Sequence, residues 1–262
     1  MLFRSQMIVY SSLDYLKGLG ENAESDPDLS LELGTAYWRV GRVQGVGVTQ
    51  NLGQTEEAER SLRTARHFID AVLDAKPGDR AATLRAAEIS HDLMVLAEDR
   101  HPNTEALIEA RKSDGLLRQY LDSGDVAESD RDQVMVVGMN VANWLFREDQ
   151  YPEGLDLLKR TIDVGKRTNQ TAQVGAAHIV LARALRASGD LDGALSAIQE
   201  AVRLQTPKPG AKPERPYRLA IATQGDILGE EAAISLARSS DALAQYEQSF
   251  QIAGELVRAD PR

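Results

Sequence analysis

The sequence has no cysteine, so disulfides, thiolate nucleophiles and cysteine-ligated metals are all excluded. That absence suits an oxidising or a reducing compartment equally. No run of about 18 apolar residues occurs, so no membrane-spanning helix is expected. The opening MLFRSQMIVYSSLDYL has a short apolar run without a basic leader or a small-residue cleavage site, and does not read as a signal peptide. Basic charge is in deficit. With 30 Lys and Arg against 40 Asp and Glu, the net charge is -10, the reverse of the basic stripe that nucleic-acid binding needs. Only four histidines are present, His67, His91, His101 and His178, and no two lie within four residues of each other. Spacing therefore gives no metal site. His178 falls on an inward helical face, where a hydrogen-bonded structural histidine is expected. The acidic stretch ENAESDPD lacks the D-x-[DN]-x-[DN]-G of a calcium loop and reads as a solvated linker. RHPNT, at His101, has no partner nucleophile. No catalytic residue, metal site or cofactor is expected.

Aromatic residues are scarce at 5%, and alternating β-branched runs are rare, while Ala, Leu, Glu and Arg are abundant. That mixture favours helix. Between Val174 and Leu185, apolar or small residues recur at three-and-four spacing and define one helical face. Ser188-Gly189-Asp190 breaks this helix. A second face follows at Leu191, Ala194, Leu195, Ile198 and Ala201, and Pro207 ends it. Forty residues upstream the pattern recurs, with Ala142 for Ala182, Asp149 for Gly189, Gly154 for Ala194 and Leu158 for Ile198. Trp144 is expected to pack on the preceding helix.

The glycine-rich stretch GRVQGVGVTQNLG, Gly41 to Gly53, resembles a phosphate-binding loop at first sight. It follows a helical pattern rather than a strand, no Lys-Ser or Lys-Thr comes after it, and Gln50 stands where a dinucleotide motif needs its third glycine. It also has a second copy 184 residues downstream. Gly41 pairs with Gly225, Gly45 with Gly229, Leu52 with Leu236, Gly53 with Ala237, Ala58 with Ala242 and Pro77 with Pro261. The expectation is a shaped helix–helix connector that tucks one leucine inward, with 31–77 superposing on 215–261. RAATLRAAEISHDLMVLAED and TEALIEARKSDGLLRQYLDSG form a further, degenerate pair. Thr206 to Pro216, TPKPGAKPERP, reads as a mobile loop, and a leading helix ends near Gly20, ahead of Asp26-Pro27.

The pattern Ala182, Gly189, Ala194, Ile198, Ala201 resembles a tetratricopeptide repeat. That resemblance implies an all-α, right-handed α-solenoid of about five helix pairs plus a leading helix. The expected domain is one array over 1–262, with residues 1–26 as leading helix and acidic linker, and pairs at 28–79, 80–127, 131–168, 171–207 and 215–262. SSLDYLKGLGENAESDPDLSLELGTAYWRVGRVQG and ILGEEAAISLARSSDALAQYEQSFQIAGELVRADP resemble the C-terminal repeat region of bacterial serine/threonine protein kinases. The kinase motifs H-R-D-L-x-x-x-N, D-F-G and V-A-I-K do not occur here.

The resemblance implies a non-catalytic, protein-binding scaffold, the sensor or docking region of a membrane-anchored kinase. Alternatives are a free-standing soluble adaptor of the same fold and a regulator that binds a small molecule at the two glycine loops. In such arrays, residues one and four positions beyond the small packing residue face the concave groove, which gives Asn143, Phe146, Arg183 and Arg186, with Arg147 adjacent and Tyr37 as a further inner-face aromatic. Three arginines on an acidic chain imply an acidic peptide or a chain terminus as ligand. No nucleic acid and no membrane contact are expected. The end at ADPR, on a helix without a polar cap, implies a fragment or an oligomer formed through the last repeat.

Overall fold

The computed structural model describes residues 11–19, 26–47, 51–98 and 104–259. Among them every regular element is helical. The helices are α1 (11–19), α2 (Pro27–Gly45), α3 (Thr55–Ala75), α4 (Arg80–Ala97), α5 (Thr104–Asp122), α6 (Arg131–Arg147), α7 (Tyr151–Arg167), α8 (Thr171–Ala187), α9 (Leu191–Gln205), α10 (Arg215–Gly229) and α11 (Ser239–Ala259), with a 3-10 turn at Glu128–Asp130. The chain forms two compact units, Met1–Asp125 and Val126–Arg262. The expected leading-helix end at Gly20, and RHPNT with His101, lie outside the described residues.

In the first unit, α2 pairs with α3 and α4 with α5, and α3 lies against α4. Asp26 starts α2 by accepting from the amides of Asp28 and Leu29 at 3.0 and 3.2 Å, with Pro27 in the first turn. Small residues set the spacing of the pair. A Cβ on Gly34 would stand 2.7 Å from Ile69, and one on Gly41 would stand 3.0 Å from Leu62. Leu62, Ala65 and Ile69 are fully buried behind them. This core also holds charge. Asp92 is buried, accepts from Trp38 Nε1 at 2.8 Å and shares a 2.8 Å hydrogen bond with His91 Nδ1. The Trp38 ring has two guanidinium groups beside it, Arg85 at 3.8 Å and Arg42 at 5.1 Å from its centroid.

In the second unit the pairs are α6–α7, α8–α9 and α10–α11, with α8 against α7 and α10 against α9. Ala142, Ala182, Ala194 and Ala201 are fully buried, and Trp144 is buried with them. The α8–α9 turn is left-handed at Gly189 (φ +87°), where the Asp190 amide donates to the Leu185 carbonyl at 2.9 Å. The α6–α7 turn repeats it forty residues earlier. Asp149 takes φ +57°, and the Gln150 amide donates to the Leu145 carbonyl at 2.8 Å. Aspartate tolerates this conformation, so the turn outlives the loss of its glycine.

The described ends of the two glycine loops are anchored in the same way. In the first, the Leu52 amide donates to Val43 at 3.0 Å and that of Gln54 to Gln44 at 2.8 Å. In the second, Leu236 donates to Ile227 at 3.0 Å and Arg238 to Leu228 at 2.7 Å, the same pairs shifted by the sequence offset. Gly53 (φ +73°) and Ala237 (φ +55°) occupy the same left-handed position. Gly45 and Gly229 leave room for the returning chain, since a Cβ there would lie 2.8 and 3.0 Å from its backbone. Leu52 and Leu236 are half-buried. Positions 48–50 and 260–262 lie outside the described residues, so the correspondence is seen between them. Both loops leave the C-terminus of a helix, the negative end of its dipole, and their Leu and Gln or Arg amides already have acceptors. A phosphate finds neither a favourable field nor free donors in those amides.

Packing at the crossing and strain at the loop each lead to a measurable stability change. Ala194→Leu overpacks the α8–α9 crossing and should cost about 1–3 kcal/mol, read as a lower urea midpoint. Ala237→Gly removes about 1–2 kcal/mol of left-handed strain and gives back ~0.5–1 kcal/mol in unfolded-chain entropy. A small rise in the thermal midpoint is expected.

Candidate functional site

The first helices of the three pairs in the second unit, α6, α8 and α10, line an open groove of about 440 Å³. Met139, Ile179 and Leu219 form part of its apolar surface, and Asn140 and Asn143 supply amides from α6. Three arginines line it: Arg183 from α8, Arg215 and Arg218 from the first turn of α10. No carboxylate is among the described lining residues. Arg183 donates to Thr223 Oγ1 at a long 3.4 Å, a weak bond for a guanidinium. Arg215 and Arg218 have no ion-pair partner among the described residues. Arg215 and Arg183 are exposed and Arg218 is half-buried.

Of the six residues expected at the groove, Asn143 and Arg183 line it. Arg186 turns away to the α10–α11 loop, donating to Glu230 and to the Ile234 carbonyl, both at 2.6 Å. Phe146 is buried, tilted against Tyr151 at 5.8 Å and closing over Gly154. Tyr37 belongs to the first unit, where it is buried and stacked on Phe68 at 5.9 Å; burial raises its phenol pKa. Arg147 is exposed but is not one of the groove-lining residues. Side-chain tilt accounts for these departures. Helical side chains lean toward the N-terminus of their helix, so the groove takes positions one after and three before the small residue, Asn143 with Met139 and Arg183 with Ile179. The position four beyond falls at the helix end, over the turn.

Arg215 lies near the end of the loop-like TPKPGAKPERP and Arg218 lies just past it; the expected last pair starts at 215, but counting from a small packing residue along α6 and α8 does not reach its first turn. The signal for that turn lies in the last residues of the loop-like stretch. A proline in the first turn of an apolar-periodic stretch marks a helix start, and α10 begins at Arg215 with Pro216 next.

A second cleft, of about 580 Å³, is lined by Lys166, His178, Glu200 and Arg203 among others. Its surface charges are already engaged in part, since Arg203 holds Glu200 at 2.7 Å. His178 is buried as expected, but among the described residues neither ring nitrogen has a hydrogen-bond partner. Burial, and then the nearby positive charge of Lys166, push its pKa below the ordinary 6.5, against an opposing pull from Glu200.

A tetratricopeptide-repeat family model matches residues 134–206, from within α6 to just past α9. No curated protein matches the chain. Among solved structures, the crystal structure of BtubC (BKLC) from P. vanneervenii is similar at a TM-score of 0.66 and 14% identity, over 98% of this chain and 92% of that chain. At that identity the likeness speaks to fold, which is all-helical and tetratricopeptide-like. Repeats of this kind serve protein–protein interaction.

His178 makes stability depend on pH. Below pH 6.5 the unfolded chain takes up a proton that the folded chain, with its lower pKa, resists. Stability should therefore be full above that pH and fall on acidification. In His178→Leu the drop in urea midpoint between about pH 7.5 and 5.5 should be smaller than in the wild type.

Proposed function

We propose that this protein is a non-catalytic scaffold that holds acidic peptide segments of partner proteins in the α6–α8–α10 groove. The observation that carries this reading is the set of three groove arginines without a lining carboxylate, on a chain of net charge -10. Guanidinium forks bind carboxylates bidentately. The Asn140 and Asn143 amides suit the backbone of an extended peptide, and the apolar surface suits its alternate side chains. The five helix pairs are proposed to act as one repeat domain over 1–262, with no part for nucleic acid, membrane or cofactor.

The test is fluorescence anisotropy with labelled acidic peptides, each with a free and an amidated C-terminus. Binding should weaken tenfold or more in Arg183→Glu/Arg215→Glu, at about 1.4 kcal/mol per tenfold, and should weaken with salt. Equal binding by a folded variant sinks the reading. A preference for the free terminus would assign the arginines to a chain end.

The resemblance to kinase C-terminal repeat regions supports a finer proposal, that the array is the docking region of a membrane-anchored serine/threonine kinase. The reading frame around the coding sequence tests it. A kinase domain and a membrane helix joined upstream support it, and a frame without them favours a free-standing adaptor.

A further inference from the structure

Helix α11 pairs with α10 through Ala242, Ser249 and Ile252, which are buried. A neighbouring flank of the helix carries Leu243, Phe250 and Val257, which are 57%, 81% and 64% exposed. They recur every seven residues, so they form one stripe about 21 Å long. In the duplicated first pair, the positions matching Leu243 and Phe250 are Glu59 and Arg66. Arg66 is roofed there by the next pair. It binds Glu109 of α5 through two 2.6 Å bonds and Ser90 of α4 at 3.0 Å. The same face on α11 is thus a contact face by position, with Leu243 and Phe250 in place of Glu59 and Arg66, Val257 in place of Leu73, and no helix pair over it among the described residues.

We propose that a second copy of this chain covers it, with the two α11 helices packed antiparallel about a twofold axis. The face is complementary to itself, as such an axis requires. Gly254 lies one turn beyond Phe250 on the stripe, and a Cβ there would meet nothing within 4 Å, so it is a hole beside a knob. With the axis at the level of Ile252, Phe250 of each copy seats over Gly254 of the other. The same register sets Glu247 of one copy beside Arg258 of the other. Both lie on the same edge of the stripe, both are exposed, and their charges are opposite. The occupant is therefore chosen by charge and by shape together.

A helix-sized patch makes a concentration-dependent dimer rather than a permanent one. Sedimentation velocity of the full chain over roughly 5–500 µM should show monomer passing to dimer. Phe250→Glu should shift the midpoint at least tenfold upward while leaving the helical signal and thermal midpoint unchanged, and Val257→Glu repeats the test at a second exposed site. Glu247→Arg and Arg258→Glu should each weaken the dimer, and the double swap should restore it. A monomer throughout the range, or a dimer indifferent to both apolar variants, overturns the proposal. A dimer lost with Phe250→Glu but not recovered by the charge swap overturns the antiparallel register. The groove variant Arg183→Glu/Arg215→Glu should leave dimerisation intact, so this proposal and the peptide-binding one fail separately.

Discussion

Close approach of helix backbones is the constraint on which everything else rests. At Gly34 and Gly41 in the first pair, and at Ala142, Ala182 and Ala194 in the second unit, small residues stand where a larger side chain would force the helices apart. Interiors pack at crystal-like density, so one added methylene at such a point is felt. These contacts fix how each pair sits, and so fix which face of its first helix remains free. The groove follows from that remainder: α6, α8 and α10 pack against α7, α9 and α11, and present Asn143, Arg183 and Arg218 on the side left over.

Polar groups are placed by the same logic. Where the first unit buries charge, it supplies partners at once, with Asp92 meeting Trp38 and His91, and Arg66 meeting Glu109. In the groove the arginines have no carboxylate beside them among the described lining residues, so their charge is left uncompensated there. His178 stands between these cases, buried with no hydrogen bond to its ring among the described residues. It is tolerated because the neutral imidazole is the cheaper form to bury.

The helices are legible in the sequence because apolar spacing and small-residue positions are local signals. Ala182, Gly189 and Ala194 name a turn and a crossing without any knowledge of the rest. The paired loops are legible for a different reason, since two copies of one arrangement repeat their constraints, down to the left-handed position shared by Gly53 and Ala237. The groove is half legible. Asn143 and Arg183 follow from counting along a helix, but whether the next turn faces the groove depends on side-chain tilt and on what lies beyond the helix end. Arg186 meets Glu230 and the Ile234 carbonyl there, partners 44 and 48 residues away that no local pattern announces. Tyr37 is drawn into the core by Phe68, far off in sequence, and Phe146 by Tyr151 across the turn. Arg215 and Arg218 sit in the first turn of a helix whose start is expected, but counting from a small packing residue along α6 and α8 does not reach that turn.

Within each unit the contacts inside a helix pair are more extensive than those between successive pairs. In that sense each pair is a plate and each junction a seam. The groove draws its residues from three plates of the second unit and so bridges two seams. The peptide proposed for this groove, held by Asn143, Arg183 and Arg218 together, would splint those seams, and tension that opened them would draw the three grips apart. Affinity for the proposed peptide would thus be tied to load, a property that a site carved into a single rigid core would lack.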